Sequence, residues 1–262
     1  MISHRDTHTT RWIITSLCLL GAMPPQSTAS AEPAQKKIIR VALFADKGVT
    51  IESLPEVLRC LPETEGFVAT KISADEIRNR ALDQCAVLIC PGGSGSGESK
   101  TLGKEGRDRI REFVTNGGGF IGICAGAYLA SIEYPWSLGL LNAHVVDDAH
   151  WARGQGNVQL KISPVGQASF GVKKESCTIH FENGPLLGPG EKDDMSDYEV
   201  LAAFDSEIAE NGAPAGVMKG TAAIARGTFG KGRVVCFSPH PEKTPGCKVF
   251  LQSAVRWAAH RD

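Results

Sequence analysis

The sequence predicts an α/β domain in which a doubly wound, mostly parallel sheet carries helices on both faces, with an antiparallel extension among the later strands. Three observations support this fold class. Short, almost wholly apolar runs alternate with helical patterns through the first half of the chain, as in a sheet buried on both faces. Two of these runs end directly in glycine-rich turns. The second half contains more strand-like runs than helical ones.

The first elements follow in βα order. We predict a strand over residues 38–44, a helix from Ile51 to Cys60, and a second strand over Phe67–Ile72. Ser73 and Glu76 then stand at the spacing of a capping box, which predicts that another helix begins there.

A third strand is predicted over residues 86–90, and it runs into the loop Pro91–Gly97, which is too rich in glycine for a regular element. A helix over Lys104–Thr115 follows. The short strand Phe120–Ile123 then leads directly into a helical segment, Ala125–Ala130.

The second half closes with a helix over Lys248–His260, whose apolar positions share one face. It is preceded by five strand candidates: residues 158–162, 177–181, 200–204, 222–225 and 233–237.

The N-terminal residues 1–31 have the features of a signal peptide. Arg5 and Arg11 precede the apolar run Trp12–Met23, and Ala29-Ser30-Ala31 supplies small residues for cleavage before Glu32. The run is short for a bilayer span, so we expect an exported protein, periplasmic or secreted, without a permanent membrane anchor. An uncleaved anchor is the alternative reading.

The mature chain is expected to form one domain, residues 32–262, because no linker-like segment divides it. Cleavage would remove two Arg and one Asp, which changes the formal charge from −1 to −2. This balance gives no electrostatic reason to expect nucleic acid as a partner.

Seven cysteines remain after residue 31: Cys60, Cys85, Cys90, Cys124, Cys177, Cys236 and Cys247. The odd number leaves at least one unpaired thiol in a monomer. Cys85 and Cys90 share a predicted strand, and five steps of about 3.3 Å separate them by roughly 16 Å, too far for a disulfide. All but one are expected to be small core residues.

The exception is Cys124, in the segment Gly122-Ile123-Cys124-Ala125-Gly126. A strand that turns at once into a helix, with glycines on both sides of a nucleophile, is typical of a nucleophile elbow. The helix N-terminus favours the thiolate form of the cysteine, which is the reactive one. A buried cysteine in a glycine-rich turn is the alternative interpretation.

A second segment, Ser238-Pro239-His240-Pro241-Glu242, follows a late apolar strand. Parallel strands deliver their carboxyl ends to one edge of a sheet, so His240 is expected to face Cys124. Glu242 is placed to orient the imidazole, which completes a nucleophile, base and acid arrangement.

Acyl transfer through a cysteine also needs donors for the oxyanion. We expect these to be the backbone N–H groups of Ala125, next to the nucleophile, and of Gly93, after the third strand. The alternative for this glycine-rich loop is a phosphate site, but it lacks the Lys-Ser/Thr ending of a Walker loop.

These motifs together resemble the class I glutamine amidotransferase-like superfamily, and Cys124-Ala125-Gly126-Ala127-Tyr128 is similar to the domain at the N-terminus of some biotin-protein ligases. Phe181-Glu182-Asn183-Gly184-Pro185 also falls in the order of that family. The resemblance implies a flavodoxin-like fold.

Two positions depart from related enzymes. True glutamine amidotransferases usually carry Gln where Tyr128 stands, so glutamine is not the expected substrate. Ala125 stands where the intracellular protease and deglycase group has His. We therefore expect a cysteine-dependent hydrolase of an amide or peptide-type bond in a small molecule or peptide, acting without a cofactor. A non-catalytic binding module with the same fold is the alternative.

The residues expected to bind substrate lie in the same motifs: Gly92, Ser94, Tyr128, Glu182 and Asn183. Trp151 and His180 are further candidates for a pocket wall. His144, Asp147, Asp148 and His150 have metal-ligand chemistry, but they fall in a predicted loop where solvated side chains are commoner than metal ligands. No metal site is therefore predicted.

Overall fold

The computed structural model describes residues 38–260, and within them eleven strands form one mixed sheet. The strands are β1 (Ile39–Phe44), β2 (Phe67–Ile72), β3 (Val87–Cys90), β4 (Gly119–Ile123), β5 (Ala143–Val146), β6 (Gln155–Ile162), β7 (Ser176–Glu182), β8 (Leu186–Pro189), β9 (Glu199–Phe204), β10 (Ala222–Phe229) and β11 (Gly232–Phe237). Their order is β2-β1-β3-β4-β11-β10-β9-β6-β7, and β5 and β8 pair off this path.

One half of the sheet is parallel. Strands β2, β1, β3, β4 and β11 run in the same direction, with Cys90 beside Gly122 and Phe237 beside Ile123 at their carboxyl ends. Every residue of β3 and β4 is buried, which explains why both read as continuous apolar runs in the sequence. The carboxyl ends of β3, β4 and β11 therefore meet at one edge.

The other half is the predicted antiparallel extension. Strand β10 pairs antiparallel with β11 and β9, β6 pairs with β9 and β7, and β5 pairs with β8. Burial alternates along most of β6, as expected for strands that face the core on one side only.

Six helices cover the two faces: α1 (Ser53–Cys60), α2 (Ala74–Arg78), α3 (Gly95–Thr115), α4 (Ala125–Ala130), α5 (Pro164–Phe170) and α6 (Lys248–Ala258). Apolar residues of α1, α5 and α6 lie in one core cluster, and those of α2, α3 and α4 lie in a second. The predicted doubly wound α/β class is therefore confirmed. So is the capping box of Ser73 and Glu76 at the start of α2.

The predicted helix over Lys104–Thr115 is present as the part of α3 that follows a kink at Gly103, but the helical turns before the kink were not predicted. The helix begins at Gly95 inside the glycine-rich segment, because the Ser94 side chain accepts a hydrogen bond from the Gly97 N–H (3.2 Å) and so caps it. The predicted start at Lys104 follows a break at Gly103, whose φ is 64°. Arg78 Nη1 donates to the Leu102 carbonyl (2.7 Å) beside the break.

Three short elements were not predicted: β5, β8 and α5. The residues of β5 lie in the segment that we interpreted as a loop around His144. With only four residues each, β5 and β8 are too short to give a periodic signal.

The predicted signal peptide, residues 1–31, lies outside the described residues. Over residues 38–260, no helix is both long enough and apolar enough to cross a membrane.

Candidate active site

Cys124 lies at the junction between β4 and α4, in a backbone conformation that is rare for any residue except glycine (φ 51°, ψ −101°). Its N–H donates to the Phe237 carbonyl (2.8 Å), which ties the junction to β11. Strain of this kind persists only where the surrounding structure enforces it, and it recurs at nucleophiles of α/β enzymes.

The two glycines that flank Cys124 are required by close backbone contacts. A Cβ atom on Gly122 would lie 2.3 Å from the Gly126 carbonyl oxygen, and one on Gly126 would lie 2.0 Å from the Cys90 carbonyl oxygen. The elbow therefore packs backbone against backbone, and Cys124 is the residue that presents a side chain to the sheet edge.

His240 and Glu242 follow the end of β11 and are both buried. His240 Nδ1 lies 2.7 Å from Glu242 Oε1, and a short 3₁₀ turn, Pro241–Lys243, carries the carboxylate to that position. The His240 N–H donates to the His180 carbonyl (2.8 Å). A Cβ on Gly92 would lie 2.9 Å from His240 Cε1, so a glycine there leaves room for the ring.

The thiol and the imidazole are neighbours, but they are not joined by a well-formed hydrogen bond. Cys124 Sγ donates to the Glu182 carbonyl (3.3 Å), and His240 Nε2 has no hydrogen-bond partner among the described residues. Burial lowers the pKa of His240, but the opposing interactions with Cys124 and Glu242 are stronger and raise it to about 10. The interactions with Cys124 and Glu242 therefore favour the protonated form of His240.

The loop after β3 holds the predicted oxyanion donor Gly93. The Thr50 N–H donates to the Gly92 carbonyl (2.9 Å), and the Ser94 N–H donates to the Gly48 carbonyl (2.7 Å). Gly93 lies between these two bonds with φ +154°, and a Cβ on it would lie 2.1 Å from the Gly48 oxygen.

Neither the Gly93 N–H nor the Ala125 N–H donates to a protein acceptor within residues 38–260. The Gly93 N–H lies between the two hydrogen bonds described above. The Ala125 N–H is in the first turn of α4, where a helix has no internal acceptor for its N–H groups. Two backbone donors near Cys124 are thus free to bind a ligand.

A cavity of about 390 Å³ opens at this edge of the sheet. Its lining includes most of the predicted site residues: Gly92, Gly93, Ser94, Cys124, Tyr128, Glu182, Asn183 and His240. Glu242 does not line it, because this residue lies behind His240, and Ala125 is buried beneath Cys124.

Tyr128 and Asn183 shape the cavity through a shared contact. The Tyr128 hydroxyl donates to the Asn183 carbonyl (3.1 Å). Asn183 adopts φ 51°, and its side-chain oxygen accepts from the Gly154 N–H (2.9 Å). Burial, followed by the nearby Cys124, raises the pKa of Tyr128. Tyr128 is therefore a neutral group whose hydroxyl is already engaged.

Glu182 forms an ion pair with Lys243 at the rim (Oε2 to Nζ, 2.6 Å). The hydrogen bond from Lys243 lowers the pKa of Glu182. Partial burial, followed by the charges of His240 and Lys243, lowers the pKa of His180. The carbonyl of Glu182 accepts from the nucleophile and its side chain is paired, so both polar ends of this residue are occupied.

Several lining residues were not predicted to lie in the site: Thr50, Ser53, Tyr134, Trp136, Asp148 and Lys243. Tyr134 and Trp136 are stacked, with ring centroids 4.5 Å apart and planes 5° apart. Together with Tyr128 and the exposed Trp151, they form an aromatic wall. Tyr134 and Trp136 follow α4 in an irregular segment, where no periodicity marks a ring as part of a site.

Glu98, in the first turns of α3, was not predicted to lie near the site. The residue is fully buried, and both of its carboxyl oxygens lack a hydrogen-bond partner among the described residues. Burial, and secondarily the charge of Cys124, raises the pKa of Glu98 well above its ordinary value. This carboxyl is therefore held neutral close to the nucleophile.

Three of the four residues considered as metal ligands have protein partners: His144, Asp147 and His150. Asp147 contacts both His150 and the buried Arg153. His144 Nδ1 lies 2.7 Å from the Pro189 carbonyl oxygen. Across residues 38–260 no group of three or more His, Cys, Asp or Glu side chains is arranged to hold a metal ion.

The architecture is that of a glutamine amidotransferase-like α/β protein. A crystal structure described as a glutamine amidotransferase superposes with a TM-score of 0.55 at 22% identity, covering 82% of this chain and 98% of that one. A ThuA-like protein from Bacteroides uniformis superposes with a TM-score of 0.59 at 16% identity, covering 87% and 94%. At these identities the similarity establishes the fold alone.

The sequence also matches a family model over part of its length. Residues 39–156 match the family model described as "Biotin-protein ligase, N terminal", so the resemblance predicted from the motifs is confirmed. An uncharacterized protein of Chlamydia muridarum is 25% identical over 230 residues, which cover 79% of this chain and 81% of that protein. The region matched by the family model, residues 39–156, contains Gly93 and Cys124 but ends before His240.

Proposed function

We propose that the protein is an exported, cysteine-dependent hydrolase of amide or peptide-type bonds that acts through a thioester. One observation carries the proposal: Cys124 is held in a strained elbow next to an imidazole whose other nitrogen is bound by a buried carboxylate. Strain at a nucleophile and an oriented base are both costly to maintain, and both serve acyl transfer.

In the proposed reaction the Cys124 thiolate attacks the substrate carbonyl carbon, and the Gly93 and Ala125 N–H groups stabilise the oxyanion. The protonated His240 gives its proton to the leaving amine, and a thioester remains. The imidazole then removes a proton from water, which attacks the thioester and releases the acid and the thiolate. Glu242 keeps the imidazole oriented throughout.

The residues that line the cavity favour one class of substrate. Lys243, the one Lys or Arg side chain among the lining residues, is already paired with Glu182. A free carboxylate such as that of glutamine would therefore find no unpaired cation there. The stacked Tyr134 and Trp136 offer a flat apolar surface. We therefore propose neutral or cationic amides that carry a ring.

Labelling with a small cysteine electrophile tests the proposal most directly. The modified residue would be identified by mass spectrometry, and hydrolysis of aromatic and aliphatic amide panels would be measured in parallel. We expect Cys124 to be labelled first among the cysteines, and Cys124→Ala to abolish both labelling and turnover. Labelling of Cys124 no faster than of an ordinary exposed thiol would contradict the proposal.

A binding module is the second candidate, and one contact favours it. The Cys124 thiol donates to the Glu182 carbonyl, so its proton is directed away from His240 Nε2. If this contact persists with ligand bound, the thiol is not activated. A protein that binds a ring-bearing amide without hydrolysing it, and whose Cys124 resists alkylation, would support this second function.

Export is the remaining part of the proposal, and it rests on the charged and apolar pattern of residues 1–31. N-terminal sequencing of protein recovered from the envelope or medium of the native host tests it. A mature start within a few residues of Glu32 would agree with export, whereas an intact Met1 in the cytoplasm would contradict it.

A further inference from the structure

Cys177 and Cys247 bring two distant parts of the chain together. Cys177 is the second residue of β7, and Cys247 is the residue immediately before α6. Cys247 Sγ lies 3.9 Å from the carbonyl oxygen of Thr178, the residue next to Cys177. Interaction with the Cys247 thiol raises the pKa of Cys177, and both residues are free thiols in the structure. Cys247 belongs to the core cluster on one face of the sheet, and the half-buried Cys177 packs against that cluster.

The two segments are already joined by hydrogen bonds. The His240 N–H donates to the His180 carbonyl (2.8 Å), and the His180 N–H donates to Thr244 Oγ1 (3.0 Å). The Thr244 hydroxyl in turn donates to the His240 carbonyl (2.8 Å). The two cysteines are thus held at one end of a fixed contact between β7 and residues 240–247.

We propose that Cys177 and Cys247 form a disulfide that cross-links β7 to the segment carrying His240 and Glu242. Cys177 lies beside solvent, because β7 is an edge strand and this residue is half-buried between the exposed Ser176 and Thr178, whereas Cys247 is buried beneath the surface. This inference does not depend on the proposed hydrolase activity, because it requires only that the protein meets a disulfide oxidant.

The oxidant is an external low-molecular-weight disulfide. One thiolate of the pair attacks it, forming a mixed disulfide and releasing one external thiol. Cys177 is half-buried whereas Cys247 is buried, so Cys177 supplies that thiolate. Cys247 then loses its proton and attacks the mixed disulfide at Cys177, which releases the second external thiol. The two protein sulfurs are oxidised and the external disulfide is reduced.

Such a disulfide would stabilise the position of β7 beside the candidate active site. Strand β7 is held by a ladder on one side only, yet it carries Glu182, whose carbonyl accepts from Cys124. A cross-link limits how far β7 can separate from the His240 segment, and it also restricts the unfolded chain across the loop from 177 to 247.

The full-length chain would be incubated with oxidised glutathione, its free thiols would be alkylated, and the unreduced tryptic digest would be analysed by mass spectrometry. We expect a linked species joining residues 175–192 to residues 244–248, and a melting temperature higher by roughly 10 °C than that of the reduced protein. Reduction should reverse both effects.

Two variants serve as controls. Cys177→Ser should remove the linked peptide and the temperature shift, whereas Cys85→Ser should leave both unchanged. The proposal would be overturned by the absence of a linked 177–247 species in the folded wild-type protein. A stable glutathione adduct on either cysteine that does not resolve to the disulfide would also overturn it.

Discussion

The two halves of the sheet contribute to the candidate site in different ways. The parallel half holds Cys124 and Gly93 on turns that leave no space for any side chain at Gly122 and Gly126. The antiparallel half and the segments beside it contribute Glu182, Asn183 and Lys243, through ion pairs and carbonyl contacts. The comparison indicates that the nucleophile is fixed by backbone packing, whereas the pocket around it is defined by side chains that can be exchanged.

The largest expected effect is on the packing of the parallel half. Gly126→Ala would place a Cβ atom 2.0 Å from the Cys90 carbonyl oxygen, and the backbone on both sides must shift. We expect a loss of about 3 kcal/mol in the free energy of unfolding, measured by urea denaturation. Gly171→Ala is the control, because nothing lies within 4 Å of its added Cβ, so only the smaller cost of its positive φ (64°) is expected there. An equal loss in both variants would contradict the packing argument.

The next effect concerns the base. His240→Ala removes the imidazole whose pKa is raised to about 10 by its interactions with Cys124 and Glu242. Alkylation of Cys124 at pH 6 to 7 should therefore slow by about 10²-fold, as followed by mass spectrometry of the labelled peptide. His144→Ala is the control, because His144 lies at the Pro189 carbonyl and outside the cavity lining. An unchanged rate in His240→Ala would remove the proposed base.

A smaller effect is expected for the orienting acid. Glu242→Gln keeps the imidazole but removes the charge 2.7 Å from Nδ1, so alkylation of Cys124 should slow by about 10-fold. The raised pKa of His240 adds stability that is fully present below about pH 6.5 and is lost as the pH rises through about 10. The stability difference between wild type and Glu242→Gln should therefore be largest at low pH. A difference that grows above pH 8 would contradict this assignment.

The smallest expected effect is a gain in stability rather than a loss, and it concerns Glu98. Burial raises the pKa of Glu98, so wild-type stability should fall as the pH rises above about 4.3, the ordinary value for Glu. Glu98→Gln removes this ionisation and should stabilise the protein at pH 8 by about 1 kcal/mol, with little change at pH 4. The melting temperature at both pH values measures this. Glu105→Gln, at an exposed position on the same helix, should have no such pH dependence.

The sequence predicts the strands of the parallel half of the sheet more completely than the residues that line the cavity, for physical reasons. Strands β3 and β4 are buried at every position, so their apolar runs are continuous and end visibly at Gly92 and Cys124. Tyr134 and Lys243 join the cavity only through tertiary packing, and no local pattern encodes that. The early start of α3 at Gly95 was missed because glycine opposes helix formation, whereas the Ser94 cap supports it.

The two backbone hydrogen bonds on either side of Gly93 have a consequence for redesign of the cavity. Two backbone hydrogen bonds join the segment near Val49 to the Gly93 loop. The Thr50 N–H donates to the Gly92 carbonyl, and the Ser94 N–H donates to the Gly48 carbonyl. Because main-chain atoms make both bonds, a combinatorial library at the lining residues Thr50 and Ser53 would vary the wall of the cavity while the backbone geometry at Gly93 is retained. New ligand preferences could therefore be selected at these positions without altering Cys124 or His240.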